Sequence, residues 1–360
     1  MNRFDLDYID SMRGIAILMV LAVHSTLFFD IFNIMNLPLG LENILHSGKY
    51  GVSLFFIVSA YTLFRSLDIR KENGFKDYYI RRFFRIAPLY YLVIILLFTF
   101  TTGKIFYMQE GTNDISLFNL ATHMFFINGF FTSNFNSIIG VEWTIFVEIF
   151  FYMILPVIFI YRKYLLKISL FLFIIAILNA LIIKLYPLNE LERIQLYFSP
   201  LAWFIVFMLG ILIYSYQTMF IKTIFIKFKK HIAVSIVLLF ILLSYVKLPG
   251  NYLIFSILLA SFFMLNKYNK ITFFNNLLLK RIGELSFSIY LIHMPIFALA
   301  RTEKMGGGLM IFDNQILNYI FFTLCLISII VAISFILYKY IEQPFMKLGK
   351  NYIKEVQNDK

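Results

Sequence analysis

The sequence predicts an all-α polytopic membrane protein with about ten transmembrane helices and both termini cytoplasmic. Three observations carry this expectation. Hydrophobic residues make up 61% of the 360-residue chain and the mean hydropathy is +0.81, far above a soluble domain. Ten apolar stretches are long enough, or nearly so, to cross a bilayer. Lysine and arginine fall very unevenly between alternate turns.

The ten stretches run approximately 11–32, 49–66, 83–102, 141–161, 165–185, 198–217, 231–247, 250–266, 283–300 and 315–339. The first is not a cleavable leader, because its flank DLDYIDSMRG carries three aspartates and no small-residue cleavage site follows. The second is short, with Gly48 and Gly51 at its mouth, which predicts close packing or a broken start. The eighth is also short. Segment 115–131 is apolar enough for the interface, but Asn119, His123, Asn128 and Gly129 argue against a crossing. The loop 103–140 is rich in Asn, Thr, Phe and Gly, and its length suits either a lid over an acceptor or a disordered connector. Counting along the ten spans, 25 of the 32 Lys and Arg fall on the side of the termini and 7 on the other. Residues 1–345 are therefore expected to form one membrane domain, followed by a short basic cytoplasmic tail over 346–360.

The net charge of +12 does not imply nucleic acid, since the basic residues punctuate hydrophobic runs and form no aromatic-interleaved basic face. The single cysteine, Cys325, excludes an intramolecular disulfide and a CxxC metal site, and is expected to be a small core residue. No metal is expected.

Chemistry concentrates in polar groups at membrane depth. In RGIAILMVLAVH, Arg13 and His24 frame ten apolar residues. Eleven helical positions bring the two to within about 20° of one face and about 16 Å apart along the axis. With Arg13 at the surface, His24 lies near the midplane, where an ionisable group points to function. Glu148, in VEWTIFVEIFFYMILP, enters from the opposite side to a comparable depth. A carboxylate and an imidazole at matched depth can pair, which would keep the ring oriented and basic; the alternative is a buried bond that only locks two helices. Glu142 lies at the outer mouth beside Trp143 and is expected to be solvated, with a possible part in holding an acceptor. Ser286, Tyr290 and His293 share nearly one helical face. His293 is open to three roles: second proton carrier, acceptor ligand, or hydrogen bond to another span near a kink at Pro295. Arg81, Arg82 and Arg85 cluster at the start of the third span. Guanidinium forks suit phosphate, although such clusters also anchor on lipid headgroups.

Together these residues resemble the acyltransferase family 3 membrane proteins, which O-acetylate bacterial surface polysaccharides, lipopolysaccharide and peptidoglycan. The resemblance covers nearly the whole chain. Arg13 and His24 match an Arg-x10-His motif. GKYGVSLFFIVSAY resembles a second-span motif, with Ala60 for a usual glycine, and RRFFRIAPLYY an arginine motif. WTIFVEIFFY resembles a Trp-Ser-x3-Glu motif, with Thr144 for serine and Glu148 retained. IGELSFSIYLIH resembles a Ser-Tyr-Ser-x-Tyr-Leu-x-His motif, with Phe287 for the first tyrosine, and Glu342-Gln-Pro344 a closing Glu-x-Pro. The form resembled is the stand-alone one, without an SGNH hydrolase domain.

The resemblance implies a bacterial cytoplasmic-membrane enzyme with no permanently bound cofactor. Acetyl-CoA or another acyl-CoA would be the donor, and a glycan on the outer side the acceptor. Arg13, Arg81, Arg82 and Arg85 would meet the donor's phosphates, and His24, steered by Glu148, would act as general base. Transfer would be direct or through an acyl relay on a tyrosine or His24. Ser286, Tyr290, His293, Glu142 and Trp143 would support the acceptor. The competing expectation is a proton-coupled transporter of glycans or lipid-linked sugars, with His24, Glu148 and His293 as a relay; the chain shows no two-fold repeat of the kind such transporters often have.

Overall fold

Each of the ten apolar stretches folds around a helix, as segments in hydrocarbon must to satisfy their own backbone. The computed structural model describes residues 7–31, 39–70, 75–100, 115–246, 251–300 and 311–358, and among these there is no strand. The first helices are α1 (Asp7–Ile31), α2 (Leu39–His46), α3 (Gly51–Arg70), α4 (Lys76–Phe100), α5 (Leu117–Met124) and α6 (Glu142–Ile160). Next come α7 (Leu165–Leu185), α8 (Glu190–Tyr197), α9 (Pro200–Ser215), α10 (Met219–Lys227) and α11 (Lys229–Tyr245). The last are α12 (Asn251–Asn269), α13 (Leu277–Glu284), α14 (Ser286–Ala300), α15 (Gln315–Leu337) and α16 (Gln343–Asn358).

Among the described residues, seven helical stretches are long and apolar enough to cross a membrane: Asp7–Thr26, Glu42–Arg70, Lys76–Phe100, Glu142–Ile160, Arg162–Leu185, Glu190–Ser215 and Ile316–Asn358. The helices α13 and α14 pass the same test only as a pair, bent by 73°, which makes them a broken span or a re-entrant loop. This replaces the single span expected over 283–300. The break falls at Leu285, whereas Pro295 lies inside continuous helix. Lys280, Arg281 and Glu284 explain it, because α13 carries charges that hydrocarbon does not accept. Helix α11 has 17 residues, about 26 Å of rise against a hydrocarbon core of about 30 Å. Helix α5, with eight residues, does not cross, in agreement with its polar content. Part of the candidate lid, residues 103–114, lies outside the described residues, while 115–140 is packed and hydrogen-bonded rather than a disordered connector.

The chain divides into two compact units, Met1–Tyr61 with Met208–Ala332, and Thr62–Phe207 with Ile333–Lys360. In the first, α1 is the central element, with Met12, Ala16, Ile17, Val20 and Leu21 fully buried. It packs on α13, α14 and the 3-10 turn Ser47–Tyr50. The second span therefore has the broken start its glycines predict, and Gly48 sits so close to the Met19 carbonyl that a Cβ would overlap it.

In the second unit, α4 packs against α16, where Gly349 faces Phe84 and Gln357 donates to the buried Asp77 at 2.7 Å. The expected tail is thus largely a packed helix. Pro156 inside α6 has no N–H, which leaves the Tyr152 carbonyl without its helical donor. The Tyr78 hydroxyl of α4 donates to that carbonyl at 3.3 Å, so the proline defect becomes an inter-helix contact.

Exposed apolar side chains concentrate on α7, α11 and α15, as on helices that face lipid. Cys325 lies on this exposed surface of α15, not in the core, because α15 presents most of its middle turns outward.

Candidate active site

In the first unit, the site is built where α1 meets the α13–α14 break. Gly14 and Gly283 abut: a Cβ on Gly14 would overlap the Leu279 carbonyl, and one on Gly283 the Asp10 carbonyl. Only paired glycines allow this approach. Lys280 closes the same crossing with an ion pair to Asp7 at 2.6 Å. Arg13, next to Gly14, is held by Asp10 at 3.0 Å. Three turns along α1, His24 Nδ1 lies 2.8 Å from His293 Nε2, and His293 Nδ1 lies 2.7 Å from the Tyr290 carbonyl oxygen.

This chain of contacts fixes the tautomers of a neutral pair. A carbonyl oxygen only accepts, so His293 carries its proton on Nδ1 and presents a lone pair at Nε2. His24 must then donate from Nδ1, and its lone pair is left on Nε2. His293 is fully buried, while His24 is only partly so. The less buried ring is therefore the one with a lone pair aimed away from its partner. Ser286 and Tyr290 are buried on α14 with His293, and the Tyr290 ring lies against Phe55. The next residue on α1, Ser25, shares a 2.8 Å hydrogen bond with Tyr319 of α15.

In the second unit, Glu148 accepts a hydrogen bond from Tyr152, one turn further along α6. Arg82 lies over the Tyr152 ring at 5.9 Å, which links the arginine cluster of α4 to the helix that carries Glu148. Arg85 lies 3.8 Å from Glu342 and donates to the Met346 sulfur at 3.5 Å. Glu342 is buried in a π-helical turn, Tyr338–Glu342, between α15 and α16. Such turns often mark functional positions. One member of the expected phosphate cluster thus already faces a carboxylate.

Glu142 is not solvated as expected. It is fully buried and accepts from the backbone N–H groups of Ile138, Ile139 and Gly140, with His123 Nε2 at 3.5 Å. The turn curls back because Gly140 takes φ 94°, a left-handed conformation that suits glycine. His123 in turn contacts the Asn119 carbonyl at 2.9 Å, and Asn134, Ser137 and Thr122 complete a buried polar network. Trp143 is fixed by stacking on Phe198 at 4.3 Å and by Trp203 at 5.3 Å. Glu142 and Trp143 therefore shape the entry to α6.

The acyltransferase domain family matches residues 6–339, almost the whole chain. The chain belongs to the acyltransferase 3 family. A protein of Acidianus two-tailed virus named as a candidate acetyltransferase, ORF330, is 29% identical over 209 residues. That match covers 57% of this chain and 56% of the viral protein, so the chain spans little more than half the length of this curated relative. No solved structure matches. As an acyltransferase 3 protein, the chain has its Arg-x10-His pair on one helix, α1, and the late-motif histidine bonded to His24.

Sequence reasoning paired His24 with Glu148. Within the first unit His24 is bonded to His293, and within the second Glu148 accepts from Tyr152. Tyr152 and the Glu342–Arg85 contact were not singled out, and His123 was read only as a polar residue against a crossing. The Glu148–Tyr152 contact has a sequence signal, an i, i+4 spacing; the others depend on tertiary packing.

Proposed function

We propose that the protein is a membrane O-acyltransferase of O-acetyltransferase type. It moves an acyl group from cytoplasmic acyl-CoA to a hydroxyl of a cell-surface or lipid-linked glycan. The observation that carries this is the His24–His293–Tyr290 hydrogen-bond chain in a member of an acyltransferase family.

His24 Nε2 takes the proton of the acceptor hydroxyl as its oxygen attacks the thioester carbonyl carbon. The tetrahedral oxyanion collapses, the C–S bond breaks, and the departing thiolate recovers the proton from His24. The products are an ester and free CoA. While His24 is charged, its Nδ1–H bond to His293 becomes charge-assisted and therefore stronger, which stabilises that state over the resting one. His293 is the positioning residue of this step.

Within the second unit, Arg81, Arg82 and Arg85 are ligands for the donor's phosphates, with Glu342 tempering the charge of Arg85. Glu148, fixed by Tyr152, is the carboxylate that turnover requires. Ser286 and Tyr290 of the first unit support the acceptor, and Glu142 acts through the backbone it holds. The membrane is a bacterial cytoplasmic membrane, crossed ten times, with both termini inside; the 25-to-7 partition of Lys and Arg supports this orientation.

The test uses purified full-length protein in proteoliposomes, supplied with acetyl-CoA and a panel of glycans. Acceptor-dependent release of free thiol is expected. Proton-coupled sugar flux with no thiol release would make the protein a transporter instead.

A further inference from the structure

At the corner between α6 and α7, an open groove of about 460 Å³ is lined by Phe75, Phe159, Ile160, Arg162 and Lys163. Its composition is sharply divided, with three apolar residues beside two adjacent cations. Arg162 lies 4.6 Å over the Phe159 ring and 3.4 Å from Asp68, with its side chain 55% exposed. An exposed pair of this kind contributes little and is easily exchanged, and a guanidinium has donors for more than one acceptor. The neighbouring Tyr161 and Tyr164 are exposed, and Lys163 and Lys167 each lie 5.7 Å over the Tyr164 ring. Tyrosines with basic residues at the end of an apolar helix mark the headgroup level of a bilayer. From there, Leu166, Leu170, Ile174 and Leu178 form an exposed ridge along α7 at a spacing of four residues.

We propose that this groove binds one anionic phospholipid. Its phosphate lies between Arg162 and Lys163, its glycerol and first methylenes cover Phe75, Phe159 and Ile160, and an acyl chain follows the ridge of α7. Charge decides for an anionic lipid over a zwitterionic one, and the apolar floor and ridge decide for a lipid over free phosphate. This site involves no residue of the proposed acyl-transfer chemistry and does not depend on it.

The experiment is native mass spectrometry of the full chain released from mixed micelles of phosphatidylglycerol and phosphatidylcholine, with an arm containing excess inorganic phosphate. Electrostatic attraction near a membrane surface favours the anionic lipid by about fivefold per cation. Wild type should therefore retain phosphatidylglycerol over phosphatidylcholine by at least about fivefold. The double variant Arg162→Gln/Lys163→Gln should retain the two equally, and inorganic phosphate should leave the wild-type ratio unchanged. Should the double variant not fold, Lys163→Gln alone should lower the ratio severalfold. Equal retention by wild type, a preference unaltered in the variants, or displacement of the lipid by phosphate alone would each overturn the proposal.

Discussion

Replacing His293 with phenylalanine tests the link between the two imidazoles. The change removes the acceptor 2.8 Å from His24 Nδ1 and the donor to the Tyr290 carbonyl, while a ring still fills a fully buried position. A hydrogen bond to a charged group contributes about 1–1.5 kcal/mol more than the neutral bond of the resting pair, so losing that difference should slow turnover about 5- to 15-fold. Removing the base itself with His24→Ala should cost about 10²- to 10⁴-fold. Because His293 acts only through His24, the double variant should be no slower than His24→Ala. The assay is thiol release from acetyl-CoA by purified protein, with thermal unfolding as a control for folding. A His293→Phe enzyme as fast as wild type would refute the reasoning. So would a double variant slowed by the product of the two single effects, since independent contributions multiply.

Glu142→Gln should lower stability by about 3 kcal/mol, because an amide oxygen replaces a carboxylate that accepts three buried N–H groups; an unchanged unfolding temperature would mean that the carboxylate is solvated after all. Gly14→Ala should destabilise by about 1–3 kcal/mol through overlap with the Leu279 carbonyl, and a melting curve in detergent that matches wild type would remove the paired-glycine crossing from the fold. Arg85→Ala should raise the apparent KM for acetyl-CoA more than it lowers kcat, and an unchanged KM would dismiss this residue as a phosphate ligand.

The helical membrane architecture was legible because hydropathy and charge are local properties of the chain. The Arg13–His24 spacing was legible because helix periodicity converts eleven residues into a direction and a depth. Depth alone does not choose a partner, however. The His24–His293 bond within the first unit depends on how closely α14 approaches α1. That approach rests on Gly14 and Gly283, 269 residues apart in sequence. Glu142 was misjudged for a related reason. A carboxylate at the start of a helix is usually solvated, and only the turn at Gly140 brings three N–H groups back onto it. The bend at Leu285 was legible in hindsight from the charges of α13, which outweigh Pro295 as a break point.

The most direct measurement compares the surface glycan, by NMR, from cells that carry wild-type protein or His24→Ala at equal membrane abundance. If the imidazole of His24 is the base for acyl transfer, the O-acyl signals disappear with the variant while the glycan itself persists. Undiminished acylation in the His24→Ala cells would contradict that role.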